Sequence, residues 1–73
     1  MKYKVQVRKG KKAWQTKYGF SGEIDALGNA SLDSARWYFA MTNIGPHWRK
    51  RLIAVKDDGT KHVLSYHVYP TFA

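Results

Sequence analysis

The 73-residue sequence has no cysteine, two prolines and five acidic residues, against 13 lysines and arginines. Without cysteine, neither a disulfide framework nor a thiolate metal site can hold so short a chain together. The longest apolar stretches, such as 37–41, fall far short of the roughly 20 residues that a membrane-spanning helix needs. We therefore expect a fold stabilised by packing alone, with no metal, no cofactor and no insertion into a membrane.

The start of the chain also lacks the pattern of a secretion signal. Residues 1–5 carry charge but lead into alternating residues, whereas a signal peptide continues into an apolar segment with a small-residue cleavage site. We expect the protein to reside in the cytoplasm.

Aromatic residues are abundant for so small a protein. Three tryptophans, five tyrosines and three phenylalanines make up 15% of the chain, and apolar residues make up 44%. Each aromatic side chain can bury a large area. A single folded domain over residues 1–73 is predicted, with no length left for a second core.

The net charge of +8 is large for this length, and it is unevenly distributed. Residues 1–20 hold seven basic side chains and no acid, residues 21–35 hold three acids and no base, and residues 36–56 again hold only bases. Such segregation favours a directed surface that meets an acidic partner over diffuse basicity.

The first 20 residues predict a β-hairpin. Residues 2–8 alternate apolar and polar, residues 9–12 form a turn around Gly10, and residues 13–20 alternate again with Trp14 in phase with Tyr18. If the apolar faces pair, one solvent-facing surface collects the polar positions. That predicted surface comprises Lys2, Lys4, Gln6, Arg8, Gln15 and Lys17.

The rest of the chain predicts a helix followed by a second hairpin. Ser31 is a candidate N-cap, an apolar arc follows at helical spacing, and residues 43–46 give a stop signal. Two β-rich segments, 51–56 and 61–69, then flank an Asp-Gly turn at 57–60. The predicted fold class is α+β: a small antiparallel sheet of two β-hairpins with one helix between them, ββαββ.

Catalytic chemistry finds no support in the pattern. His62 and His67 are an odd number of residues apart, so on a strand they point to opposite faces, and Asp57 and Asp58 are typical turn formers before glycine. Glycines near residue 20 lack the lysine and serine of a P-loop. We predict that the protein is not an enzyme and has no small-molecule substrate.

Two classes of binding function are left. A basic hairpin face and an Arg-Lys-Arg run beside Trp48 supply charge and a stacking surface for DNA or RNA. Alternatively, the basic surface meets an acidic patch on another protein, with Trp37, Tyr38 and Met41 either buried or exposed as anchors. In both cases the predicted partner-binding residues are Lys2, Lys4, Arg8, Lys9, Lys11, Lys12, Lys17, Trp48, Arg49, Lys50 and Arg51.

The segment Trp14-Gln15-Thr16-Lys17-Tyr18-Gly19-Phe20, the aromatic helix, Asn43-Ile44-Gly45 and Lys50-Arg51-Leu52 together resemble small orphan proteins encoded by bacteriophages. In size, charge and lack of catalytic apparatus the chain is also similar to phage host-takeover factors that bind the host's RNA polymerase. No motif aligns residue by residue, so the resemblance assigns no contact residues.

That resemblance implies a non-catalytic transcription regulator in the host cytoplasm. It would bind subunits of bacterial RNA polymerase through basic and aromatic residues and alter initiation, with termination as a second stage it could affect. The alternative is a protein that binds DNA or RNA directly through the basic hairpin face.

Overall fold

A computed structural model describes residues 1–24 and 27–69. Four strands form one antiparallel sheet: β1 (Lys2–Lys9), β2 (Gln15–Ser21), β3 (Trp48–Val55) and β4 (Lys61–Val68). The helix α1 (Ser31–Met41) lies between β2 and β3 in the chain. The sheet order is β2-β1-β3-β4, so the predicted ββαββ arrangement is confirmed.

The helix covers one face of the sheet. It packs on β1, β2 and β3 but makes no contact with β4, and both elements are fully described. The core beneath it contains Val5, Ala35 and Leu52, all fully buried, with Tyr38 and Phe39 packed against them. Burial of such side chains is the main source of stability in a domain without cross-links.

The two central strands place successive side chains on opposite faces. β1 and β3 pair without interruption from Lys2 opposite Val55 to Lys9 opposite Trp48. Since directly opposed residues share a face, Val5 and Leu52 lie on the face under α1, which we call the covered face. The other, which we call the open face, carries Lys2, Lys4, Gln6, Arg8, Arg49, Arg51, Ile53 and Val55.

A bulge changes the predicted register of the first hairpin. Val5 pairs with Tyr18, but Gln6 pairs with Thr16, so Lys17 is an extra residue in β2. Such a residue reverses the alternation beyond it. The expectation that Trp14 and Tyr18 share a face is therefore wrong, and so is the placement of Gln15 on the polar face, because Gln15 pairs with Val7.

Both hairpin turns contain a glycine with positive φ, as the sequence indicates. Gly10 has φ 59° and Gly59 has φ 89°, a conformation that costs other L-residues free energy. In the second turn the Thr60 amide donates a 2.9 Å hydrogen bond to the Asp58 carboxylate, and this backbone hydrogen bond is the main cause that lowers the pKa of Asp58. Asp58 is a turn former in the structure.

The ends of α1 differ from the expected capping pattern. Ser31 is the first helical residue rather than the N-cap, a position taken by Ala30 without a side-chain hydrogen bond. At the other end the Thr42 amide and hydroxyl both donate to the Tyr38 carbonyl, at 3.0 and 2.7 Å. Thr42 is extended, so the helix ends without the left-handed residue that the Asn-Gly-Pro pattern predicts.

Candidate functional site

The open face carries a cluster in which two arginines lie against one tryptophan ring. The guanidinium carbon of Arg51 is 4.2 Å from the centroid of Trp14, and that of Arg8 is 4.6 Å away. Arg8 reaches it from β1 and Arg51 from β3, while Trp14 directly precedes β2 beyond the bulge. Cation–π attraction of about 0.5 to 1 kcal/mol per exposed contact holds the indole over the charged groups.

A short chain of hydrogen bonds fixes Arg51 on this surface. Its Nε donates to Oε1 of Gln6 at 2.8 Å, and Nε2 of Gln6 donates to Oγ1 of Thr16 at 3.1 Å. Gln6 itself is buried. The amide thus links β3, β1 and β2 across the open face and orients the guanidinium plane.

Tyr66 of β4 completes the cluster. Its ring lies edge-on to Trp14, with 6.1 Å between centroids, and its hydroxyl accepts a 3.3 Å hydrogen bond from Nη1 of Arg49. Partial desolvation acts to raise the pKa of Tyr66, but the hydrogen bond and charge of Arg49, followed by Arg8, outweigh it and lower that pKa. We call Arg8, Arg49, Arg51, Trp14 and Tyr66 the arginine–aromatic cluster.

The cluster contains positive charge without a matching carboxylate. Among residues 1–24 and 27–69, the ion pair found joins the terminal amine to Asp57, and no acidic side chain lies within 4.0 Å of Arg8, Arg49 or Arg51. Nε of Arg8 is buried and has no hydrogen-bond partner in the described part of the chain. Five N–H donors per guanidinium in a fixed planar fork match phosphate oxygens well.

Repulsion between Arg8 and Arg51 accompanies this excess of positive charge. Burial is the first cause that lowers the pKa of Arg51, and the like charge of Arg8 is the second. Arginine stays protonated at any physiological pH, so the repulsion is present in the free protein. An anion that binds between Arg8 and Arg51 would relieve it.

Most of the predicted partner-binding residues lie on or next to this surface. Lys2 and Lys4 share the open face, while Lys17 occupies the bulge. The side chains of Lys9, Lys11 and Lys12 are exposed in and before the first turn. Trp48, expected to supply a stacking surface, is half-buried at the start of β3 and pairs with Lys9 on the side of the covered face rather than the open face.

Lys50 has a different environment from its neighbours. It is buried on the covered face, and its Nζ donates to the carbonyls of Phe39 at 2.7 Å and Thr42 at 2.9 Å. It also lies 4.6 Å from the Phe39 ring centroid. Desolvation lowers the pKa of Lys50, and its ammonium group caps the negative end of α1, so we leave it out of the binding surface.

The sequence predictions missed Trp14 and Tyr66 as site residues. Trp14 was placed on the core side because the extra residue Lys17 has no signature in the pattern. Lys50 did leave a signal, since it alternates in phase with Leu52 and Ala54, both of which are buried. Of the helix residues whose burial was left open, Trp37 and Met41 are exposed and Tyr38 is half-buried.

A bulge in the second hairpin places His62 opposite Ala54 and His67 opposite Lys50, so these two histidines lie on the same face and the expectation of opposite faces is wrong. No group of three or more potential metal ligands occurs among the residues that the structure describes. Within the same residues, no helix has the length and apolar character to cross a membrane. Comparison with known proteins finds no family model, no curated protein and no solved structure that matches this chain.

Proposed function

We propose that this protein binds single-stranded nucleic acid on the open face of its sheet. The observation that carries the proposal is the arrangement of Arg8 and Arg51 around Trp14 with no carboxylate in contact within the described residues. Positive charge beside an aromatic ring is the combination that single strands require, because phosphates and bases alternate along them.

Phosphate binding is assigned to the arginines. Arg8 and Arg49 are directly opposed on β1 and β3, and Arg51 is two residues along β3 on the same face. Lys4 and Lys2 extend the positive surface along β1. A sugar-phosphate backbone that crosses the sheet would therefore contact these basic side chains one after another.

Base stacking is assigned to Trp14 and Tyr66. Tyr66 is 47% exposed, and Val68 beside it on β4 is 46% exposed. Antiparallel sheets that present aromatic rings on an uncovered face can stack unpaired bases in this manner. Since every base has a π-face, such stacking predicts weak dependence on sequence.

The width of the open face favours a single strand over duplex DNA. Four strands about 4.8 Å apart place the outer strands about 14 Å from each other before side chains are added. The major groove of B-DNA is about 12 Å wide and admits a helix or a two-stranded ribbon. The cluster extends from Trp14, which precedes β2, across β1 and β3 to Tyr66 on β4, so a groove would reach only part of it.

The expectation of a transcription regulator that binds bacterial RNA polymerase stays a prediction. The exposed side chains of Trp37 and Met41 on α1, at 58% and 59%, are the features that favour a protein partner. A pull-down from nuclease-treated bacterial lysate distinguishes the hypothesis of a polymerase partner from that of a nucleic-acid partner. Polymerase subunits recovered after nuclease would support the protein partner, whereas loss of partners on nuclease treatment supports nucleic acid.

The direct test is equilibrium binding to a labelled single-stranded oligonucleotide of about eight residues, a site size in the range of comparable modules. Arg8→Gln with Arg51→Gln should weaken binding about 100-fold, because two charge-assisted contacts of about 1.5 kcal/mol each are lost. The slope of log K against log salt should flatten by about 0.7 per removed charge.

A matched control removes the same charge elsewhere. Arg36 on α1 and Lys56 after β3 are exposed and lie off the open face, so Arg36→Gln with Lys56→Gln should weaken binding less than about fivefold through the screened long-range field. Equal losses for the two double variants would show that only net charge matters. Absence of binding by the unmodified protein at low salt would overturn the proposal.

Substitutions of Trp14 test base stacking separately from phosphate binding. Trp14→Ala should weaken binding by about 1 to 3 kcal/mol at constant charge, and Trp14→Phe by less. Quenching of indole fluorescence on binding would report the same contact. If Trp14→Ala bound as tightly as the unmodified protein, the aromatic part of the proposal would be wrong.

A further inference from the structure

The two ends of β2 differ in charge and shape. At one end, the first turn holds Lys9, Lys11 and Lys12 with no acid, and at the other lies an apolar groove in the acidic part of the chain. The seven residues of β2 separate these ends by about 20 Å, at about 3.4 Å per residue. Complementary features at opposite ends of one element can join copies head to tail.

The groove lies between the end of β2 and the part of α1 from Asp33 to Tyr38, and it has a volume of about 790 Å³. Phe20, Tyr38 and Trp37 form an aromatic wall, with ring centroids 5.5 Å apart between Phe20 and Tyr38 and 5.1 Å between Trp37 and Tyr38. Ile24 also lines it and is 67% exposed.

Its charge is negative. Asp33 lines the groove, and Glu23 precedes Ile24 at its margin. Glu23 is held in place through its carbonyl, which accepts a 2.8 Å hydrogen bond from the amide of Ser31. A ligand for this groove therefore needs apolar surface and positive charge together.

The first turn offers both. Lys11, Lys12 and Ala13 are exposed, and lysine combines a long apolar stem with a terminal charge. The turn is also well anchored, because the Gly10 amide donates to the His47 carbonyl at 2.8 Å and the Lys12 amide donates to the Lys9 carbonyl at 3.2 Å.

We propose that the basic turn of one copy docks in the aromatic, acidic groove of the next copy when both occupy one nucleic-acid strand, so that the protein binds long strands cooperatively. The lysine stems would pack on Trp37, and their ammonium groups would face Asp33 and Glu23. This inference rests on the proposed function for the strand that aligns the copies.

The strand is needed because the contact alone is weak. Exposed ion pairs contribute little, and each copy carries a net charge of +8, which opposes association in free solution. Neutralisation by phosphates removes that repulsion, and a shared strand raises the local concentration of neighbouring copies. The contact joins different surfaces, so it repeats along the strand rather than closing a dimer.

Titrations of single-stranded oligonucleotides of about 8 and about 40 residues test the proposal. We expect a hyperbolic curve with the short strand and a sigmoidal curve with the long one, with at least tenfold tighter half-saturation. Lys11→Glu with Lys12→Glu, and separately Glu23→Lys with Asp33→Lys, should abolish the sigmoidal shape. An equimolar mixture of these two variants should restore it in part, because the reversed turn matches the reversed groove.

A matched control is Lys56→Glu with Lys61→Glu, which makes the same charge change in the other hairpin and should leave the curve sigmoidal. A hyperbolic curve of the unmodified protein on the long strand would overturn the inference while the proposed function stands. A sigmoidal curve that survives both charge reversals would overturn it as well.

Cross-linking tests the same contact between copies on one strand. The chain has no cysteine, and Ala13 and Ala30 are exposed at the turn and the groove respectively. A mixture of Ala13→Cys and Ala30→Cys on the long oligonucleotide should form the mixed disulfide at least fivefold in excess over either symmetric one. A statistical mixture of disulfides on a strand that both variants bind would overturn the inference while the proposed function stands.

Discussion

Leu52 and Arg51 are adjacent in β3 and have opposite surroundings. Leu52 is fully buried under α1 against Val5, whereas Arg51 lies on the open face against Trp14. The same contrast holds in β1, where Val5 is in the core and Gln6 hydrogen-bonds Arg51. Alternation along two strands thus divides the sheet into a face packed under α1 and a face that carries the arginine–aromatic cluster, with Ile53 as a buried side chain on the open face.

Because the two faces differ in this way, substitutions can change stability and binding separately. The covered face has a small set of fully buried side chains and one ammonium group that caps the helix. The open face has cationic and aromatic groups whose hydrogen bonds run mostly between side chains. Substitutions on the first should change the free energy of unfolding, and those on the second should change affinity.

The largest effect is expected at Leu52. Leu52→Ala should lower the free energy of unfolding by about 2 to 5 kcal/mol, because it leaves a cavity in a small core. Arg51→Gln, one residue away on the other face, should cost less than about 1.5 kcal/mol, the value of one hydrogen bond. Urea unfolding followed by circular dichroism measures both, and equal costs would contradict the division into two faces.

Lys50→Met should cost about 1 to 3 kcal/mol in the same measurement. It keeps the apolar stem but leaves the carbonyls of Phe39 and Thr42 without their donor. Arg49→Met, at the half-buried neighbour on the open face, should cost less than half as much. A smaller loss for Lys50→Met than for Arg49→Met would show that the helix end does not depend on this ammonium group.

Lys50 also predicts a pH dependence of known sign. Its folded-state pKa is lowered below the ordinary value of about 10.5. Between the lowered pKa and 10.5 the folded state therefore binds fewer protons than the unfolded state. Stability then rises with pH across that window. The difference in unfolding free energy between the unmodified protein and Lys50→Met should grow as pH approaches 10.5, and a decrease would contradict the burial of the ammonium group.

A smaller effect is expected for the ionisation of Tyr66. Its hydroxyl should titrate below the usual tyrosine range, because Arg49 and Arg8 stabilise the phenolate. Arg49→Gln should raise that pKa, while Lys61→Gln, on the same strand, should leave it nearly unchanged. Titration of ¹³C-labelled tyrosine by NMR measures the pKa of Tyr66. If Arg49→Gln left that pKa unchanged, Arg49 would not contact Tyr66 in solution.

The smallest effect concerns the loop that connects α1 to β3. His47 has φ 71°, the left-handed region in which a side chain costs about 1 kcal/mol or more. His47→Gly should therefore leave stability unchanged or raise it by up to about 1 kcal/mol, with affinity for nucleic acid unaltered. Thermal unfolding measures the change, and a loss above 1 kcal/mol would mean that the imidazole makes a stabilising contact.

The order and type of every element follow from the sequence, because alternation, helical spacing and two glycine turns are local signals. Charge segregation also indicated the side of the hairpin that holds Lys4 and Arg8. Register was predictable only as far as the alternation continued without interruption. The extra residue Lys17 rotates Trp14 to the open face, and no local propensity marks that residue.

The alternation of Lys50 in phase with Leu52 indicates the covered face, but the partners of its ammonium group could not be predicted. A lysine within a basic run is typical of a solvated surface, and only tertiary contact with the carbonyl end of α1 makes burial favourable. The cluster around Trp14 likewise requires three strands to assemble. Composition could indicate an acidic partner, but not which side chains form the arginine–aromatic cluster.

The central claim is that the open face, rather than the helix side, binds nucleic acid. The most direct measurement is a ¹⁵N NMR titration of the unmodified protein with the eight-residue oligonucleotide, with side-chain signals of tryptophan and arginine observed. We predict the largest shifts at the Trp14 indole and the Arg8 and Arg51 guanidinium groups, with the Trp37 indole unchanged. Shifts confined to Trp37 and α1 would contradict the account.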